Sequence, residues 1–137
     1  MASELKVNTL TGVSTAGSIA VTAEGNSTTT NLQQGLAKAW VNYNGDASGG
    51  SIHDSFNHAS VTDSATGKFR TNFTNSMSNA NYNAVGMGRG YHINSSGDDD
   101  KTTTGELHMT FYVSGTSGQS TAYDLSRDNV SYFGDLA

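Results

Sequence analysis

The chain has 137 residues, no cysteine, no proline and a formal net charge of −5. Without cysteine there is no disulfide, thiolate zinc site, iron–sulfur cluster or thiol nucleophile. No apolar run approaches the ~20 residues of a membrane span, residues 1–8 lack a signal-peptide core, and seven scattered Lys and Arg form no basic patch for nucleic acid or a membrane surface.

Residues 1–30 are rich in Thr, Ser, Ala and Gly, with short apolar pieces at Leu5, Val7, Leu10, Ile19 and Val21. They read as an extended arm that cannot bury itself and must pack on something else, with one short strand around Ile19–Val21. The best helix candidate covers residues 31–41. Asn31 with Gln34, or Thr30 with Gln33, has capping-box spacing, and Leu32, Leu36 and Trp40 recur at i, i+4 and i+8. Gly35 weakens it, so the expectation is a short helix followed by a strand through residues 40–44.

Residues 42–137 read as strands separated by Gly, Asn, Asp and Ser turns, the pattern of an all-β domain. A first strand is expected over 52–59. Residues 61–62 and 68–74 flank a turn at 63–67 and form a hairpin, with Phe69, Thr71 and Phe73 on one side and Arg70 and Asn72 on the other. Further strands are expected over 82–87 and 91–94. Residues 106–113 give the clearest period-two alternation, Leu107, Met109, Phe111 and Val113 against Glu106, His108, Thr110 and Tyr112. Residues 129–133 close the chain as a strand.

Ser, Thr, Asn and Gly account for 64 of the 137 residues, whereas Leu, Ile, Val and Phe number 23, about 17%. So thin an apolar supply, without the high charge of a disordered chain, points to copies that share their cores.

Chemical motifs are weak. Asp98, Asp99 and Asp100 are consecutive rather than alternate, so they read as a solvated loop tip more than a calcium loop. His53 and His58 fall on opposite faces of one strand and cannot share a metal, and neither His92 nor His108 completes a ligand set. Asp54, Ser55 and His58 supply the residue types of a hydrolase without a nucleophile elbow. Gly86, Gly88 and Gly90 lack the lysine and helix of a phosphate loop. No catalytic residue, metal or cofactor is assigned. Exposed Tyr and Asn residues suit contact with sugar rings.

The stretch 32–45, Leu-Gln-Gln-Gly-Leu-Ala-Lys-Ala-Trp-Val-Asn-Tyr-Asn-Gly, is followed by Asp54-Ser55-Phe56-Asn57, Val61-Thr62-Asp63, Gly67-Lys68-Phe69 and Met77-Ser78-Asn79-Ala80-Asn81-Tyr82. This order resembles a domain of tail-fibre-type and other virion proteins of tailed phages of marine bacteria, cyanophages included. Ser78 stands where that pattern has proline. The resemblance implies a mainly β particle protein: an extended arm (1–30) and a short helix, then an antiparallel β-sandwich-like domain (31–137), assembled as a homotrimer. The expected function is that of a virion structural protein of tail-fibre type, docking on tail or capsid proteins through the arm and presenting a polar surface to host glycan. Ile19, Val21, Leu32, Leu36 and Trp40 are the expected subunit interface. A capsid decoration protein and a carbohydrate-binding module are the alternatives.

Overall fold

Beyond residue 38, β-branched and aromatic residues alternate with Ser, Thr and Asn, a period that suits a pleated sheet with one face covered. The computed structural model describes residues 4–12, 19–22, 28–47, 49–88, 91–95, 101–113 and 120–137, and is mainly β with antiparallel pairing throughout. Two compact units, 1–36 and 37–137, divide it.

In the first unit, β1 (Ala20–Thr22) pairs antiparallel with β2 (Thr29–Asn31), and helix α1 (Leu32–Gly35) follows. Leu32 N–H donates to the Ile19 carbonyl at 2.8 Å, tying the end of the hairpin to its start. None of the described residues of this unit is buried. Asn31 caps α1, its side-chain oxygen accepting from the Gln33 and Gln34 N–H groups. The short helix expected within 31–41 is α1, four residues long, and the strand expected over 40–44 follows it within residues 39–44. Leu36 is already extended (φ −96°, ψ 137°), and Trp40 lies in a strand, so Leu32, Leu36 and Trp40 share no helical face. Gly35 and the β-favouring run Trp40-Val41-Asn42-Tyr43 outweigh the i, i+4 pattern.

The second unit contains β3 (Ala39–Asn44), β4 (Ser51–Phe56), β5 (His58–Ala65), β6 (Lys68–Phe73), β7 (Asn83–Gly88), β8 (Tyr91–Ser95), β9 (Lys101–Thr102), β10 (Gly105–Val113), β11 (Ser120–Ala122) and β12 (Asp128–Phe133). Their order is β4-β3-β12-β7-β8-β10-β6-β5, with β9 and β11 also pairing β10. Among the described residues two pairs link β7 to β8, and β12 and β7 pair over six. The strand order has two halves, β4-β3-β12-β7 and β8-β10-β6-β5. Their inner faces meet, Tyr43 of β3 against Phe69 of β6 and Tyr132 of β12 against Phe73 of β6. This is the β-sandwich-like arrangement.

The strand expected over 52–59 is two strands, broken at Asn57. Asn57 has φ 57°, a left-handed conformation that Asn tolerates better than most residues. It is the only residue between β4 and β5, which are the two ends of the strand order, so it turns the chain from one half to the other. Its side chain clamps the corner. Nδ2 donates to the Lys38 and Asn75 carbonyls, both at 3.1 Å, and Oδ1 accepts from the Asn75 N–H at 2.7 Å. Gly67, φ 67°, makes the turn of the expected β5–β6 hairpin, and β6 buries Phe69, Thr71 and Phe73 as the alternation predicts.

Asn57→Gly keeps the backbone geometry but loses the clamp, and should cost about 1–3 kcal/mol. Asn57→Ala should cost about 1 kcal/mol more, because it adds a Cβ without side-chain compensation in the left-handed region. Urea unfolding midpoints that place Ala above Gly would contradict this account.

Candidate functional site

Two places in the second unit depart from an ordinary half-polar sandwich: a hydrogen-bonded polar hub in the core and an apolar row on the outer face.

The hub is built by register. Thr71 of β6 lies directly opposite Glu106 of β10, and both are wholly buried. Close approach of these strands relies on Gly105, where a Cβ would come within 2.2 Å of the Thr71 carbonyl oxygen. His108, two residues along β10 from Glu106, is 1% exposed. From the other half, Tyr132 of β12 reaches across. Its hydroxyl is 2.6 Å from Thr71 Oγ1 and hydrogen-bonds His108 Nε2, while Thr71 Oγ1 donates to the Glu106 carbonyl at 3.3 Å. Thr71 Oγ1 also lies 3.3 Å from His108 Nε2, whose N–H both hydroxyl oxygens can share, and one order of donors serves all four contacts. His108 donates from Nε2 to Tyr132, Tyr132 donates to Thr71, and Thr71 donates to the carbonyl, which can only accept. This assigns neutral His108 the Nε2–H tautomer.

Burial, then the nearby His58 and Lys101, pushes His108 down to about 3. Burial pushes the Tyr132 hydroxyl well up, against the lowering effect of its hydrogen bond with Thr71. The Tyr82 hydroxyl, raised chiefly by burial and then by Glu106, donates to the Thr102 and Gly105 carbonyls at 3.1 and 3.0 Å. His58, the first residue of β5, stacks its ring 5.2 Å from Phe73 and 5.3 Å from Tyr132, and burial lowers it to about 4. The hub ties the two halves together and holds its histidines neutral.

The alternation expected over 106–113 falls in β10, and where its side chains are described the polar parity is the inner one. Glu106 and His108 point inward and Leu107 is only half-buried. The polar inner surface supplied by Thr71 and Tyr132 fits Glu106 and His108, and no rule of period two says which parity goes in. No signal in the sequence joined residues 71, 108 and 132.

The outer row also follows from register. Phe56 of β4 faces Trp40 of β3, Trp40 faces Ser131 of β12, and Ser131 faces Val85 of β7. Asp54, Asn42, Asn129 and Met87 form the adjacent row in the same way. Directly opposed residues share a face, and this one points away from the core formed by Val41, Tyr43, Val130 and Tyr132. Phe56 is 52% exposed, Trp40 36%, Val85 58% and Met87 66%. Three of these four neighbouring strands, β4, β3 and β7, thus carry exposed large apolar side chains on a face roughly 14 Å wide, with Ser131 and Asn129 of β12 between them.

Of the expected interface residues, Trp40 is on this row. Ile19 and Leu32 are half-buried in the first unit, and Val21 and Leu36 there are about half exposed. His53 Nε2 lies 3.1 Å from the Ser126 carbonyl oxygen, and no hydrogen bond between described residues joins Ser55 to a histidine. Among the described residues no three His, Asp or Glu side chains group to hold a metal, and no helix is long and apolar enough to cross a membrane. Residues 98–100, Gly90 and the His92 side chain lie outside the described part. Comparison with protein-family models, with curated proteins and with solved structures found no match.

Tyr132→Phe removes the hydroxyl shared by Thr71 and His108, and should cost about 2–3 kcal/mol in urea unfolding. Thr71→Val should cost less in that background than in the wild type, by about 1 kcal/mol. Additive effects of the two substitutions would show that they do not belong to one network.

Proposed function

We propose that this chain is a self-assembling structural protein of a tailed-phage particle, of tail-fibre type, working as a homotrimer. The observation that carries the association is the outer row Phe56, Trp40, Val85 and Met87. A sandwich needs one covered face per half, and the inner face already meets that need. Large apolar side chains aligned on the opposite face cost solubility and add nothing to the fold of one copy. Covering each is worth about 1.5–3 kcal/mol, which suits subunits with so few apolar residues of their own.

The first unit supports a docking role. Its described residues bury nothing, and Leu5, Val7 and Leu10 are 80%, 55% and 56% exposed. A lone two-stranded hairpin is marginal in water, so such a segment gains stability from a partner, here a neighbouring copy or another particle protein. The resemblance over about residues 31–85 supplies the setting, a virion. Three copies in one particle turn weak contacts with host glycan into useful avidity. The hub supplies no chemistry in this reading, because its groups are enclosed and engaged with one another.

Purified protein should scatter light as three times the chain mass of 14.3 kDa. Val85→Lys with Met87→Lys should shift it to the mass of one chain while its urea midpoint, measured on the dissociated form, stays within about 0.5 kcal/mol. Trp40, the only tryptophan, reports the same event by a red shift of its emission in the variant. A wild-type mass of one chain would overturn the trimer, and a density map lacking this chain on the particle would overturn the setting.

A further inference from the structure

The core histidines have no part in the proposed assembly, and their placement points to a separate property. His58 follows the Asn57 corner immediately and stands at the start of β5, an end strand of the sheet order. Its ring packs against Phe73 and Tyr132, which also touch each other. Among the described residues neither ring nitrogen makes a close hydrogen bond, and the Asn72 backbone nearby offsets only part of the desolvation. His108 sits deeper, 5.7 Å from the same Tyr132 ring between centroids, and is fixed by the hub.

We propose that the β4–β5 corner is an acid-operated latch, in which protonation of His58 drives the corner off the core while the β3–β12 pair stays in place. His58 is the member that can leave, since it is only half-buried and its strand has β6 as its one sheet neighbour, with a backbone bond from Asp63 N–H to the Gly49 carbonyl at the far end of β5. His108 is hemmed in by neighbours on both sides of β10 and cannot follow without wider unfolding.

Burial is the main cause that opposes charge on His58. Beside it stands Tyr132 on β12, and His108 on β10, close enough to feel its charge, stays neutral down to about 3. Lys101 on β9 adds positive charge to the same cluster. Glu106 on β10 is the acid of the cluster, and it acts on Tyr82 and Tyr132. Tyr82 stands before β7 and is raised chiefly by burial, with Arg70 on β6 acting on it, and Tyr43 on β3 acts on Tyr132. Asp63 lies at the far end of β5 opposite Phe69, and Asp54 of β4 is on the outer face with Asn42. A charged ring would gain some cation–π attraction from Phe73 and Tyr132. The desolvation that holds His58 at about 4 outweighs it.

The sign follows from linkage. An open corner restores the ordinary value of 6.5, so between 6.5 and about 4 the open form binds more protons. The closed form is fully favoured above 6.5 and loses roughly tenfold per pH unit as the pH falls through that interval.

Hydrogen exchange on the full chain at pH 7, 5.5 and 4.5, corrected for intrinsic rates, tests the latch. Amides of β4 and β5 should lose protection roughly tenfold per unit below 6.5, while β3 and β12 keep theirs. His58→Phe, which keeps a ring in the aromatic cage, should abolish that pH dependence. Equal loss in the variant, simultaneous loss in all strands, or full corner protection at pH 4.5 would overturn it. If His58→Phe does not fold, the NMR titration of His58 in the wild type decides: a midpoint near 4 supports the latch and one near 6.5 overturns it.

Discussion

The contact on which the second unit depends is the meeting of Tyr132, Thr71 and His108 in the core. Tyr132 belongs to one half of the sandwich, and Thr71 and His108 to the other. A chain with 23 Leu, Ile, Val and Phe residues cannot fill two inner faces with aliphatic groups. It uses tyrosines instead, whose rings bring area and whose hydroxyls must then be satisfied. Tyr132 packs its ring against Phe73, Tyr82, His58 and His108. Once a hydroxyl is buried at that depth, a neighbouring donor and acceptor become obligatory, because a lone polar group there would cost more than its ring gains. Thr71 and His108 meet that demand, and Gly105 lets their strands approach.

From this follows the division of labour between the faces. The inner face takes hydroxyls and imidazoles along with its aromatic rings, whereas Phe56, Trp40, Val85 and Met87 stand outside. An arrangement that places residues of such size in water while enclosing Glu106 and Asp128 inverts the usual partition within one copy. It stops being an inversion if the outer row is a second interior, shared between copies.

Much of the β architecture is legible from alternation and turns. The β5–β6 hairpin follows from Gly67 and the parity of Phe69, Thr71 and Phe73, and the final strand from Val130 and Tyr132. Three features were not. The helix beginning at Asn31 was recognisable by its cap but not by its end, because the i, i+4 spacing of Leu32, Leu36 and Trp40 also arises when the last of these belongs to a strand. The corner at Asn57 was hidden because asparagine permits a left-handed turn without demanding one. The inward parity of β10 was hidden because hydrophobicity marks alternation and not direction, and the direction was set by Thr71 and Tyr132, 35 and 24 residues away from Glu106 and His108 respectively.

The same distance explains why the hub was invisible and the outer row nearly so. Trp40 was singled out for its size and its place after an apolar stripe, but Phe56, Val85 and Met87 join it only through three strand registers. Each register is fixed by the inner face: Val41 opposite Val130, and Tyr132 opposite Ala39. A slip by one residue would turn Tyr132 outward and Ser131 inward, breaking the hub and scattering the outer row together. The buried hydrogen bonds therefore do two things at once. They close the sandwich, and by fixing the registers they align on its back the side chains through which one copy would meet the next.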